Sequence, residues 1–254
     1  MAIQDVSQNW LTKISLSEMD LKCGTQPPSD KIERHRLRDL GEKPSALHNN
    51  CSGKHTSFLT FAKHGKFDLN YNNLDHPLQT EIKTVLEDLS GEQIEKYGID
   101  GCSSPNFMCS LRGLALAMHY LTDKRSLGQV RFKSVEAILT AMQEHPLLVA
   151  GIGRACSELM MAINSPAIVK TGAEGVFVAI LPEKRIGVAL RILDGSMRAA
   201  EAAIALILVR LGVVSIDHPY VSKRLFSKVQ NWSGKITGQI SPTEEFWDEG
   251  KKLL

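Results

Sequence analysis

The feature that most restricts this chain lies between Gly175 and Gly212. Two β-rich runs, "GVFVAILP" and "RIGVALRILD", are joined through Pro182, Glu183, Lys184 and Arg185, a pattern that predicts an antiparallel hairpin. The clearest helix of the chain comes next. Its apolar residues Ala200, Ala203, Ile204, Ile207, Leu208 and Leu211 recur at steps of three and four, with Ser196 placed as N-cap and Gly212 as stop. A hairpin followed at once by a helix with one apolar face predicts that the helix packs across the sheet, hence an α/β fold.

Shorter helical patterns precede it. Trp10, Leu11 and Ile14 suggest a first helix, and a second follows the Pro27-Pro28 loop and stops at Gly41. A third runs from about Ser52 to His64, with Phe58, Leu59 and Ala62 inward and Gly65 beyond its end. "DHPLQTEIKTVLEDLSG", "SLRGLALAMHYLTD" and Ser134 to Glu144 complete the helical set, and "GIDGCSSPN" reads as a loop. No repeat or linker interrupts the 254 residues, so one domain over 1–254 is the expectation.

Charge narrows the partners. Thirty basic against 28 acidic residues, well mixed, argue against nucleic acid or an anionic membrane surface as the main partner. The start "MAIQDVSQNWLTKISL" has neither a basic nor an apolar signal region, and the most apolar run, Ala202 to Val209, is far short of the roughly 20 residues a membrane span needs. A cytoplasmic protein is expected. In a reducing compartment its five cysteines are free thiols, packed small hydrophobes or metal ligands.

Three stretches can carry chemistry. In "HNNCSGKH" a helix starting at Ser52 puts Cys51 at its positive end, where a thiolate is favoured, and Lys54 three residues on faces the same side. That spacing suits two ligands of one metal, or a nucleophile beside an amine. The plain alternative is that Ser52 caps the helix, Cys51 packs, and Lys54 and His55 are solvated. In "IDGCSSPN", Cys102 stands in a loop after Asp100, a residue able to orient a cation or a ligand. Cys51 and Cys102 with one nitrogen would leave a zinc position open for water, although their spacing is no zinc-finger pattern and a lysine ligand must first lose its proton. In "VKTGAEG", Lys170, Thr171 and Gly172 form a Lys-Thr-Gly triplet ahead of a strand, an element of penicillin-recognising serine hydrolases.

Taken in order, "LHNNCSGKH", "DHPLQ", "IDGCSSPNF", "GIGRACSELM", "VKTGAEGVFVAILP" and "LDGSMRAAEAAIALILVRLG" resemble the asparaginase II family, typified by the rhizobial thermolabile L-asparaginase. "KCGTQPP" and "NWSGKITGQISP" extend the likeness over nearly the whole chain. The resemblance implies a serine-β-lactamase-like α/β fold, an antiparallel sheet with helices packed on it, and hydrolysis of L-asparagine to aspartate and ammonia. It implies zinc held by Cys51, Lys54 and Cys102. Asp100, Cys156 and Lys170 take catalytic places in that pattern, and His55, Thr171 and Gly172 substrate-binding ones; a homodimer is also implied. One departure stands out. The family pattern includes a Ser-x-x-Lys pair and a Ser-His-Ser-Gly-like segment, whereas no serine here has lysine three residues later. The chain is therefore expected to begin inside the family pattern, with its fold incomplete at the N-terminus. A truncated, catalytically inactive or merely metal-binding member is the competing expectation.

Overall fold

The computed structural model describes residues 3–248, 251 and 253. The chain forms two compact units, Met1–Cys109 and Ser110–Leu254.

Among the described residues the first unit holds four α-helices, two short 3-10 turns and a small hairpin: α1 (Ile3–Lys13), α2 (Lys31–Asp39), α3 (Ser52–Gly65), α4 (Pro77–Ser90), β1 (Tyr97–Ile99) and β2 (Pro105–Phe107). Local chemistry sets the ends of α4. The His76 ring accepts the Leu78 N–H at 3.1 Å, Pro77 supplies a ready-made helical φ, and Gly91 takes the left-handed conformation that ends it. The core gathers Leu11, Leu21, Leu47, Leu59, Tyr71 and Leu78. "GIDGCSSPN" is more ordered than a loop. It spans the end of β1, the turn and the start of β2, two strands that pair antiparallel with Ile99 opposite Pro105. Strands of three residues are too short for a period of two to show in sequence.

The second unit begins with α5 (Leu111–Tyr120), α6 (Lys124–Glu144), α7 (Pro146–Ala150) and α8 (Ala155–Ala162). An antiparallel sheet follows, order β3 (Ile168–Thr171), β4 (Val176–Leu181), β5 (Ile186–Arg191). It leads into α9 (Met197–Arg210), α10 (Pro219–Leu225), the hairpin β6 (Lys228–Gln230) and β7 (Ile236–Gln239), and α11 (Glu244–Trp247). The predicted hairpin is β4–β5, and α9 packs on both its strands, capped by Ser196 as the sequence indicates. Phe177, Ala179, Ala200, Ile204 and Leu208 are wholly buried there, and burying a large apolar side chain contributes about 1.5–3 kcal/mol. α5 presses onto β5 so closely that a Cβ at Gly187 would collide with the backbone of Ala115 and His119. The helix expected from Ser134 starts ten residues earlier, at Lys124, across a break where Gly128 has φ +71°.

A buried ion pair lies against this apolar core. Glu158 on α8 meets Arg224 at 2.6 Å and Lys223 at 2.7 Å, with both the Glu158 and Arg224 side chains under a tenth exposed. Burial alone would raise the Glu158 carboxyl, but the hydrogen bonds from Lys223 and Arg224 outweigh it and hold it below its ordinary value. The molecule is thus mixed α/β, with small antiparallel sheets and packed helices. Among the described residues no helix is long and apolar enough to cross a membrane.

Candidate active site

The N-terminus of α3 is built by its flanking polar residues. Asn49 accepts the Cys51 N–H at 2.8 Å through its side-chain oxygen, while its amide donates to the carbonyls of Cys23 and Gly24 at 2.9 and 3.2 Å. This ties Cys51 to the preceding loop and leaves its half-buried thiol at the N-cap, without a side-chain capping bond. Ser52 is not the cap. Its hydroxyl is wholly buried and, among the described residues, has no hydrogen-bond partner.

The Asp100–Ser104 turn brings the second cysteine to the same place. One Asp100 carboxylate oxygen accepts the backbone N–H groups of Cys102 and Ser104 at 2.8 and 3.0 Å and lies 2.9 Å from the Cys102 sulfur. The other takes Lys54 Nζ at 2.9 Å. Ser103 reaches φ +68° to close this wrap, a conformation strained for a residue with a Cβ. Burial alone would raise the Asp100 carboxyl, yet bonds from Cys102, Lys54 and the backbone hold it well below the usual carboxylate range.

Lys54 and Cys51 lie close enough to Cys102 for its sulfur to act on both groups electrostatically. Burial would lower the Lys54 amine, but Cys102 and Asp100 more than offset it and raise its pKa. Burial and the neighbouring Cys102 sulfur push the Cys51 thiol up to about 11. His55 is wholly buried rather than solvated. Its Nε2 lies 3.1 Å from Cys102 Sγ and 3.3 Å from Ser104 Oγ, and its Nδ1 lies 2.9 Å from the Tyr71 hydroxyl. Burial, then the Lys54 charge, lowers its pKa to about 4, so the ring is neutral near pH 7. Thus Cys51, Lys54, His55, Asp100 and Cys102 form one cluster around a sulfur.

The remaining predicted residues gather in the second unit. Lys170 and Thr171 end β3 and stand ahead of the next strand, β4, as the sequence indicates; Gly172 continues the pairing by donating its N–H to the Val176 carbonyl at 2.8 Å. Cys156, buried on α8, accepts the Thr171 N–H at 3.1 Å and so satisfies a donor on the sheet's edge. Burial raises the Cys156 thiol, partly countered by that N–H. The Lys170 amine is exposed and donates to the Thr171 carbonyl at 2.7 Å, and the Thr171 hydroxyl donates to the Gly172 carbonyl at 3.0 Å.

Sequence reasoning misses Asn49, Tyr71 and Ser104. Tyr71 is a single aromatic in the polar run "DLNYNNLDHP", and nothing in its spacing relates it to His55. Asn49 and Ser104 carry a weak signal only, as short polar residues flanking a cysteine.

A metal must be judged from donor chemistry. Among the described residues no three His, Cys, Asp and Glu side chains are arranged to hold a metal ion. Cys51, Cys102 and the Lys54 amine are close enough to influence one another, and two sulfurs with one amine are a donor set that fits zinc in type once the donors lose their protons.

The sequence model of the L-asparaginase II family matches residues 3–242, and the chain belongs to that family. No curated protein matches the chain.

Proposed function

We propose that this protein is an asparaginase-type amidohydrolase that converts L-asparagine to L-aspartate and ammonia. The observation that carries the reading is the convergence of Cys51, Lys54, His55 and Asp100 on the Cys102 sulfur, in a chain of the L-asparaginase II family. In this reading Cys51, Lys54 and Cys102 hold zinc, which when bound would polarise an amide carbonyl or activate water. Asp100 anchors both Lys54 and the Cys102 turn, so the donors keep their places before any metal arrives. Lys170 and Thr171, next to Gly172, bear an amine and a hydroxyl suited to a substrate carboxylate. Cys156 steadies Thr171 from behind through its backbone N–H. A serine-β-lactamase-like architecture and a homodimer belong to the same proposal. It is supported by the antiparallel sheet with helices on it, and the family match is consistent with it.

A second reading has one observation in its favour: no serine in the sequence has lysine three residues later. Amide hydrolysis through an acyl-enzyme needs a nucleophile beside a base. A chain of this family that binds zinc without turnover meets that observation.

Ammonia release from L-asparagine by the purified 254-residue chain, assayed with and without added zinc, tests the choice. Turnover that Cys51→Ala and Lys54→Ala each abolish supports the enzyme. A folded, zinc-loaded chain that releases no ammonia leaves only the second reading.

A further inference from the structure

Tyr71 is the largest wholly buried side chain among the described residues, and its hydroxyl is not idle. It accepts the Lys22 backbone N–H at 2.6 Å and lies 2.9 Å from His55 Nδ1. Its backbone is fixed as well, since the buried Gln79 amide donates to the Tyr71 carbonyl at 2.7 Å. Edge-on ring contacts to His55 and Phe58, with centroids 5.4 and 5.7 Å away, leave the phenol little freedom.

A buried phenol must place its own proton on an acceptor. Lys22 N–H is a donor and cannot take it. Of the two partners found among the described residues, His55 Nδ1 is the one with a lone pair. The imidazole proton then sits on Nε2, which faces Cys102 Sγ at 3.1 Å and Ser104 Oγ at 3.3 Å. We propose that Tyr71 is a positioning residue: its hydroxyl fixes His55 in the Nε2–H tautomer and thereby makes the ring a hydrogen-bond donor to the Cys102 sulfur. Orientation by a second group is what a histidine beside a reactive atom requires, because its two nitrogens have opposite roles in the neutral ring. The consequence for a metal-binding thiolate rests on the reading of Cys102 given above, whereas the tautomer does not.

The test uses the full chain, metal-free, at neutral pH, with histidine labelled in its ring nitrogens. Long-range proton–nitrogen NMR correlations show which nitrogen carries the proton, and the His55 signals are identified by their loss in His55→Gln. The expected result is Nε2–H in the wild-type chain and a growing Nδ1–H population in Tyr71→Phe. A wild-type ring protonated on Nδ1, or one unchanged in Tyr71→Phe, overturns the proposal. A purely structural role would lower the melting temperature of Tyr71→Phe and leave the tautomer alone. If Tyr71→Phe does not fold, the wild-type spectrum decides by itself.

Cobalt(II), added alone and followed by its thiolate charge-transfer absorption, examines the consequence. Affinity about 10–100-fold weaker in folded Tyr71→Phe is expected for loss of an outer-shell partner. Equal affinity despite an altered tautomer removes the claimed effect on Cys102. Absence of cobalt binding in the wild-type chain counts against the zinc reading, while the NMR result still decides the role of Tyr71.

Discussion

The two units bury different things. The second unit fills its interior with aliphatic and aromatic side chains from β3–β5, α8 and α9, and admits charge chiefly as the Glu158–Arg224 pair. The first unit buries Ser52, His55, Tyr71, Gln79 and Ser104 almost completely and ties most of them into hydrogen bonds around Cys102. Buried polar groups cost folding energy unless paired. A small unit that pays this cost around one sulfur is built to hold reactive groups in place. An apolar unit with a tight hairpin is instead a scaffold, and its chemistry-bearing residues, Lys170 and Thr171, stand at its rim.

Core substitutions break the contrast first. Phe177→Ala is expected to destabilise the second unit by about 3–5 kcal/mol, read from denaturant unfolding, because it opens a cavity under β4. Removing one partner of the ion pair comes next. Arg224→Met leaves the buried Glu158 carboxylate with Lys223 as its remaining cationic partner, and a loss of about 1.5–3 kcal/mol is expected. The pH dependence follows from the lowered Glu158 pKa. A carboxyl depressed on folding adds stability that is complete above its unfolded value and is lost as pH falls through the folded one. The melting temperatures of the wild-type chain and Glu158→Gln should therefore converge on acidification, and a gap constant down to strongly acidic pH would contradict the account.

Asp100→Asn addresses the first unit. Its carboxylate accepts hydrogen bonds from charged and backbone donors, and losing such bonds costs about 1.5–3 kcal/mol, read from the same unfolding curves. The smallest effect is predicted at Trp232, which is fully exposed beside the turn of the β6–β7 hairpin; Trp232→Ser should change stability by less than about 0.5 kcal/mol.

What was legible in the sequence follows the same division. The β4–β5 hairpin and α9 could be read directly, since strands of six residues and a helix of fourteen leave clear periods with clean caps. β3 was missed because four residues, Ile168 to Thr171, carry too little alternation. In the first unit, Cys51 and Lys54 could be placed together from their spacing on one helix turn. Cys102 could be joined to them only as a chemical possibility that the family likeness strengthens, because the 50 residues between the two cysteines erase any local signal. Tyr71 had neither spacing nor likeness to mark it, and its meaning lies wholly in a hydroxyl that folding brings to His55.

Metal binding is the role proposed for the Cys51–Lys54–Cys102 corner. Titrating cobalt(II) into the folded chain and into Cys102→Ser tests it most directly. The account predicts a thiolate-to-cobalt absorption that saturates at one equivalent in the wild-type chain and is absent from the variant. A wild-type chain without that absorption, or a variant that retains it, would contradict the claim.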